Sequence, residues 1–215
     1  SLYARYKQVR GQEAELPSGG YVGDYIVEMA RTVDEEYGEK FLNLSEEQAL
    51  KELGLIGRNK MVELIRQDLQ LIRVDFDNWF REHTLYTEGQ YDKAMSLLHE
   101  GGYLLDRDGA RWFASSVLGE DKDNVVIRST GLPTYFASDI AYHYDKFVRR
   151  RYQRVINIWG ADHQGHIGRM TAAVSALGVD SNRLTIIISQ MVTLKQGQTV
   201  VKASKRTGAF ITLRE

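Results

Sequence analysis

The chain has 215 residues, 43% of them apolar and 27% charged, which is an ordinary soluble globular composition with room for one large domain or two small ones. A formal net charge of −1 gives no argument for a nucleic-acid partner, and the absence of cysteine excludes disulfides and thiolate metal sites and fits a reducing compartment. No run approaches the ~18 apolar residues of a membrane span, no charged-apolar-small leader opens the sequence, and the ends (Ser1-Leu2-Tyr3 and Leu213-Arg214-Glu215) read as cuts within a longer polypeptide.

Tyr21, Tyr25, Met29, Val33 and Tyr37 recur every four residues and predict a helix that Gly38 closes. Ser45 and Gln48 form a capping-box pair that opens a second helix, with apolar positions at Leu50, Leu53, Met61, Leu64, Ile65, Leu69 and Ile72. Residues 1–72 are therefore read as a helical segment. Val74 to Phe80 alternates apolar and polar residues and predicts a strand. Gln90 to Glu100 predicts a helix with Tyr91, Met95 and Leu98 on one face, stopped by Gly101-Gly102. Tyr103-Leu104-Leu105 and Ala110 to Phe113 flank a turn whose Asp108-Gly109 suits positive φ, so residues 73–124 hold a strand, a helix and a β-hairpin insertion.

From residue 125 to 215 the rhythm changes. Val125-Val126-Ile127, Val155 to Trp159 and Leu184 to Ile188 are short apolar strands. They alternate with helices predicted over Thr134 to Val148 and Ile167 to Leu177. That alternation predicts an α/β fold with a parallel sheet, in which ligands bind at the carboxyl ends of the strands. Gly160-Ala161-Asp162-His163 falls at such an end.

Gly160 allows a sharp turn and a close ligand approach. Asp162 can accept from ribose hydroxyls, and His163 and His166 share a helix face near an N-terminus that favours anions. The alternative is an N-capping aspartate with two surface histidines; no third ligand is placed for a metal. Lys202-Ala203-Ser204-Lys205-Arg206 carries three cations and a hydroxyl between Gly197 and Gly208. Lys205 can stabilise charge growing on an α-phosphorus and on leaving pyrophosphate, an effect worth roughly 3 kcal/mol; the alternative is a solvated basic turn. Tyr135 and Asp139 lie four apart on one helix face, and a carboxylate there would seek a guanidinium; alternatively Asp139 is merely exposed and Tyr135 is core. Glu82 is a candidate second carboxylate. Arg149-Arg150-Arg151 reads as a solvated helix end, Trp79, Trp112 and Trp159 as packing, Ile167 as core and Gly168 as a close-packing position. His166-Ile167-Gly168-Arg169 is not taken as a nucleotide-binding His-Ile-Gly-His copy, because it follows a late strand and lacks the second histidine.

Several segments together resemble bacterial arginyl-tRNA synthetases. They are Gly131-Leu132-Pro133-Thr134-Tyr135, Ser138-Asp139-Ile140-Ala141-Tyr142-His143, Gly160-Ala161-Asp162-His163, Lys202 to Arg206, Ser1 to Tyr6, Gly20 to Tyr25 and Asp108 to Phe113. The resemblance covers essentially the whole chain. It implies the C-terminal half of a class I Rossmann-type sheet with a helical N-terminal part. It also implies a cytoplasmic ligase of protein biosynthesis that activates L-arginine with ATP (as its Mg2+ complex, a substrate, with no tightly bound cofactor) and transfers it to tRNA(Arg). The parent is expected to be monomeric and to need tRNA for arginine activation.

By the same resemblance Lys202 and Lys205 are catalytic. Gly160, Asp162, His163, His166, Ser204 and Lys205 bind ATP, and Glu82, Tyr135, Asp139 and His163 bind arginine. Ala203 stands where the family has methionine. The His-Ile-Gly-His segment is expected upstream of Ser1 and the anticodon-binding domain beyond Glu215, so the chain alone is expected to be inactive. The competing readings are a nucleotidyl transferase activating another substrate and a non-catalytic arginine- or nucleotide-binding paralogue.

Overall fold

In a computed structural model of the chain, which describes residues 1–193, 195–197, 199–200 and 213–214, the period-four pattern becomes a helix. α1 (Leu2–Val9), α2 (Asp24–Tyr37), a 3-10 turn (Lys40–Leu42) and α3 (Glu46–Leu71) build one compact unit, Ser1–Asn78 with Thr193–Glu215. Gly38 ends α2 with φ 56°, a conformation that favours glycine. Ser45 caps α3 by accepting from the Gln48 N–H. The core of this unit is Tyr3, Tyr6, Ala30, Val33, Phe41, Ala49 and Leu53. The Tyr6 hydroxyl donates to the Gly38 carbonyl, and Arg10 pairs with Asp34. Gly57 lets α3 approach α1, since a Cβ there would lie 2.8 Å from Leu2 Cδ2. Leu50, Leu64, Ile65 and Ile72 of the predicted apolar series are exposed. A two-residue hairpin, β6 (Lys195–Gln196) with β7 (Thr199–Val200), belongs to the same unit.

The second unit is Trp79–Val192. It contains α4 (Thr84–Thr87), α5 (Gln90–Glu100), β1 (Leu104–Arg107), β2 (Ala110–Phe113), β3 (Asn124–Ile127), α6 (Tyr135–Tyr144), β4 (Val155–Gly160), α7 (Ile167–Ala176) and β5 (Leu184–Ser189). β4 and β5 pair in parallel from Val155↔Leu184 to Gly160↔Ser189, with α7 as the crossover, so both strands end at the same rim. The hairpin forms as its turn chemistry requires, with Asp108 at φ 53° and Gly109 at φ 71°. Phe113, Val126, Phe136, Ile140, Met170 and Val174 anchor one core.

Two expected strands differ. Val74 to Phe80 is irregular and not a strand. Arg73 turns the chain at φ 56°, Val74 and Phe76 are exposed, and the Asp75 carboxylate takes the Phe76 N–H, which removes a donor from any ladder. Val125 to Ile127 is a strand, but it pairs antiparallel with β2 rather than joining the parallel pair. An apolar run carries burial and not pairing direction, and here Phe113 of β2 and Val126 of β3 are both fully buried in the shared core.

Candidate active site

The site is organised by α6. Thr134 donates its hydroxyl to Val125 O (2.9 Å) and accepts from Ala137 N–H (3.3 Å), tying the start of the helix to β3. Phe136, Ala137, Ile140 and Ala141 bury one face in the core, which turns Tyr135 and Asp139 outward. Tyr135 is 82% exposed and is not a core residue.

Asp139 borders two cavities. One, of about 280 Å3, is lined by Phe80, Glu82, Leu85, Tyr135, Ser138, Asp139 and Tyr142. The rings of Phe80 and Tyr142 stack at 4.2 Å to form its wall, and the Ser138 hydroxyl is 2.6 Å from the Tyr86 hydroxyl. The other, of about 180 Å3, is lined by Phe136, Asp139, Trp159, His163, His166, Arg169 and Met170. Glu82, Tyr135 and Asp139 therefore come together, and Asp139, His163 and His166 do so on the other side.

The Asp139 carboxyl is open to solvent at the cavity, yet the protein crowded around it raises its pKa, and the negative charge of Glu82 raises it further. Arg169, Lys146 and His163 oppose that shift. Two carboxylates facing one hollow favour a cationic occupant, and a planar guanidinium offers donors to both.

At the rim, Gly160 gives way to a 3-10 turn (Ala161–His166) that leads into α7. A Cβ on Gly160 would lie 2.5 Å from Asp162 Oδ1, so the glycine makes room for the aspartate that folds back over the strand end. The His163 and His166 Nδ1 atoms are 3.3 Å apart, and Trp159 meets His163 edge-on with centroids 6.4 Å apart. Partial burial, then the positive charges of Arg169 and His163, lower the His166 pKa. Asp162 lies 3.6 Å from His163 Nε2. Among the described residues no group of three or more His, Asp or Glu is gathered as a metal site would need. Lys202, Ser204 and Lys205 lie outside the described residues.

Four lining or neighbouring groups escaped the sequence reading: Ser138, Tyr142, Lys146 and Arg169. Arg169 followed the discounted tetrapeptide, yet it lies over the Phe136 ring and donates to Asn124 Oδ1 (3.2 Å). Ile167 is half-buried and outside the core cluster, whereas Gly168 is a close approach, because a Cβ there would collide with the Glu120 carboxylate. Arg149 and Arg150 are more than a solvated helix end, since both pair with the fully buried Asp145. Trp159 packs against the core and also lines the cavity.

No protein-family model matches the chain. Curated proteins named arginine–tRNA ligase match all of it. That of Dehalococcoides mccartyi is 53% identical over 215 residues, and that of Caldanaerobacter subterraneus is 46% identical over 215 residues. The chain spans 39% and 38% of their respective lengths. A solved structure from Campylobacter jejuni, assigned as an arginyl-tRNA synthetase, superposes with a TM-score of 0.85 at 38% identity, covering 99% of this chain and 45% of that one. Thermus thermophilus arginyl-tRNA synthetase, at 15% identity, shares the fold with a TM-score of 0.61 over 88% of this chain and 39% of its own.

Proposed function

We propose that this chain, a segment of the arginyl-tRNA synthetase family, supplies the arginine pocket and part of the nucleotide site of an enzyme that forms arginyl-adenylate from L-arginine and ATP and passes arginine to tRNA(Arg). The observation that carries the reading is the convergence of Glu82, Tyr135 and Asp139 on one cavity, with Asp139 held at a raised pKa partly by Glu82. A substrate guanidinium relieves that repulsion and donates in the planar pairing that a neutral ureido analogue such as citrulline cannot match; the carboxylates it would leave unpaired are costly and so discriminate against it.

On the other side of Asp139, Trp159, His163 and His166 border the space assigned to ATP, with Gly160 and Asp162 at the strand end. Asp162 holds ribose hydroxyls, and His163 and His166 meet the nucleotide or the amino acid main chain. Lys202 and Lys205, with Ser204, neutralise the phosphates as pyrophosphate leaves; ATP enters as its Mg2+ complex.

The test is arginine-dependent ATP–pyrophosphate exchange by the full-length protein containing this chain, with tRNA present. Wild type should exchange with arginine and not with citrulline, and Asp139→Ala should abolish the exchange. The isolated chain should charge tRNA at a negligible rate. Undiminished exchange by Asp139→Ala, or near full-length charging by the isolated chain, refutes the reading.

A further inference from the structure

Behind Asp139 the helix buries polar groups that the pocket itself does not use. His143, 3% exposed, places Nδ1 2.7 Å from the Asp139 carbonyl oxygen and Nε2 2.8 Å from Asn157 Nδ2. A carbonyl only accepts and an amide nitrogen only donates, so the imidazole is the neutral Nδ1–H tautomer. Asn157, 7% exposed on β4, accepts the Lys146 ammonium on Oδ1 at 3.1 Å. Lys146 also lies 4.1 Å from the centroid of the Tyr142 ring, which lines the Glu82 cavity. Residues 139, 143 and 146 follow one helix face, and the helix widens into a π turn over Asp145–Arg149, a feature frequent at functional sites. Donors and acceptors therefore align from the ammonium through the amide and the imidazole to the backbone of Asp139.

We propose that Lys146 is a positioning residue for guanidinium recognition: through Asn157 and His143 it fixes the backbone of Asp139, and its charge keeps the Asp139 carboxylate ionised in front of the substrate. The proposal rests on the arginine-pocket reading above. The charges that face Asp139 come from several elements: Glu82 before α4 disfavours ionisation, while Arg169 on α7, His163 after β4 and Lys146 favour it. Lys146 in turn faces Asp139, Arg150 and Asp145, and burial lowers its own pKa to about 8. Its ammonium is therefore present at neutral pH and below.

The experiment measures KM for arginine in ATP–pyrophosphate exchange by the full-length protein, with tRNA, from pH 8 down to the lowest pH at which the protein stays folded. Arginine stays charged throughout, so a rise in KM on acidification reports carboxylate protonation. Removing a cation raises the carboxylate pKa. Lys146→Gln should therefore move the acid limb to higher pH by about one unit, raising KM roughly tenfold on that limb, and Lys146→Arg should restore the wild-type limb. A merely structural lysine would change stability or kcat and leave the limb in place, and that result overturns the proposal. If Lys146→Gln fails to fold, Lys146→Met removes the charge and keeps the length of the stem; a limb moved the same way supports the proposal and an unmoved limb overturns it. Wild-type protein without arginine-dependent exchange overturns the pocket reading and this proposal with it, whereas an unmoved limb in a responsive enzyme overturns this proposal alone.

Discussion

Asp145 is fully buried, and two guanidinium groups converge on it. Arg149 Nε donates to Oδ1, while Arg150 Nε lies 2.6 Å from Oδ2 without hydrogen-bond alignment. Arg150 also covers the Phe80 ring, which stacks on Tyr142 in the pocket wall. Asp145→Ala removes the carboxylate and leaves the cations. The Arg149 side chain is 47% exposed and can rehydrate, but that of Arg150 is only 18% exposed and stays largely uncompensated. Breaking a buried pair costs about 3–5 kcal/mol, and the rehydrated arginine puts this case near the lower end, about 3 kcal/mol. At a slope of about 2 kcal/mol per molar, the urea midpoint falls by about 1.5 M. The assay is urea unfolding followed by near-ultraviolet circular dichroism, with a control variant replacing all three residues by apolar ones of similar volume, which should recover much of the loss. An Asp145→Ala midpoint within about 0.2 M of wild type would mean that the cluster does not hold this helix end.

Burial holds the His143 pKa down at about 4, from 6.5 when unfolded. The unfolded chain therefore binds the extra proton first, and the stability linked to neutral His143 is fully present above pH 6.5 and lost as pH falls through about 4. The loss is on the order of 3 kcal/mol and should appear in urea midpoints measured from pH 7 to 4; a His143→Gln variant with an equally steep fall would contradict the assignment. Gly160→Ala should push Asp162 off the strand end and weaken ATP binding several-fold in the full-length protein while changing the melting temperature little, because Asp162 is exposed. Unchanged ATP affinity would detach Asp162 from the nucleotide.

The elements that sequence revealed are those whose signals are local. Gly38, Asp108-Gly109 and Gly101-Gly102 act through their own backbone and Ser45 through a side chain that reaches only three residues on, and the helices and hairpin they delimit stand where expected. The missed features depend on partners distant in sequence. Val125 to Ile127 shows its apolarity without showing that β2 is its neighbour. Val74 to Phe80 alternates, but no described strand accepts it. Asp139 was legible as a candidate because it lies one helical turn from Tyr135, whereas Glu82 was named only for following an expected strand that does not form. Lys146 was not, since its importance arises only when β4 brings Asn157 against His143.

That meeting of β4 with α6 has a consequence for strand alignment. Along β4, Val155 and Asn157 face inward while Ile156 and Ile158 face water. Sliding the strand by one residue would set an isoleucine against the imidazole and strand the amide outside, abandoning the buried bond to His143 and the half-buried one from Lys146 at once. The single polar side chain on the inner face thus works as a registration mark, and the rim where Gly160 meets Ser189 inherits its place from it.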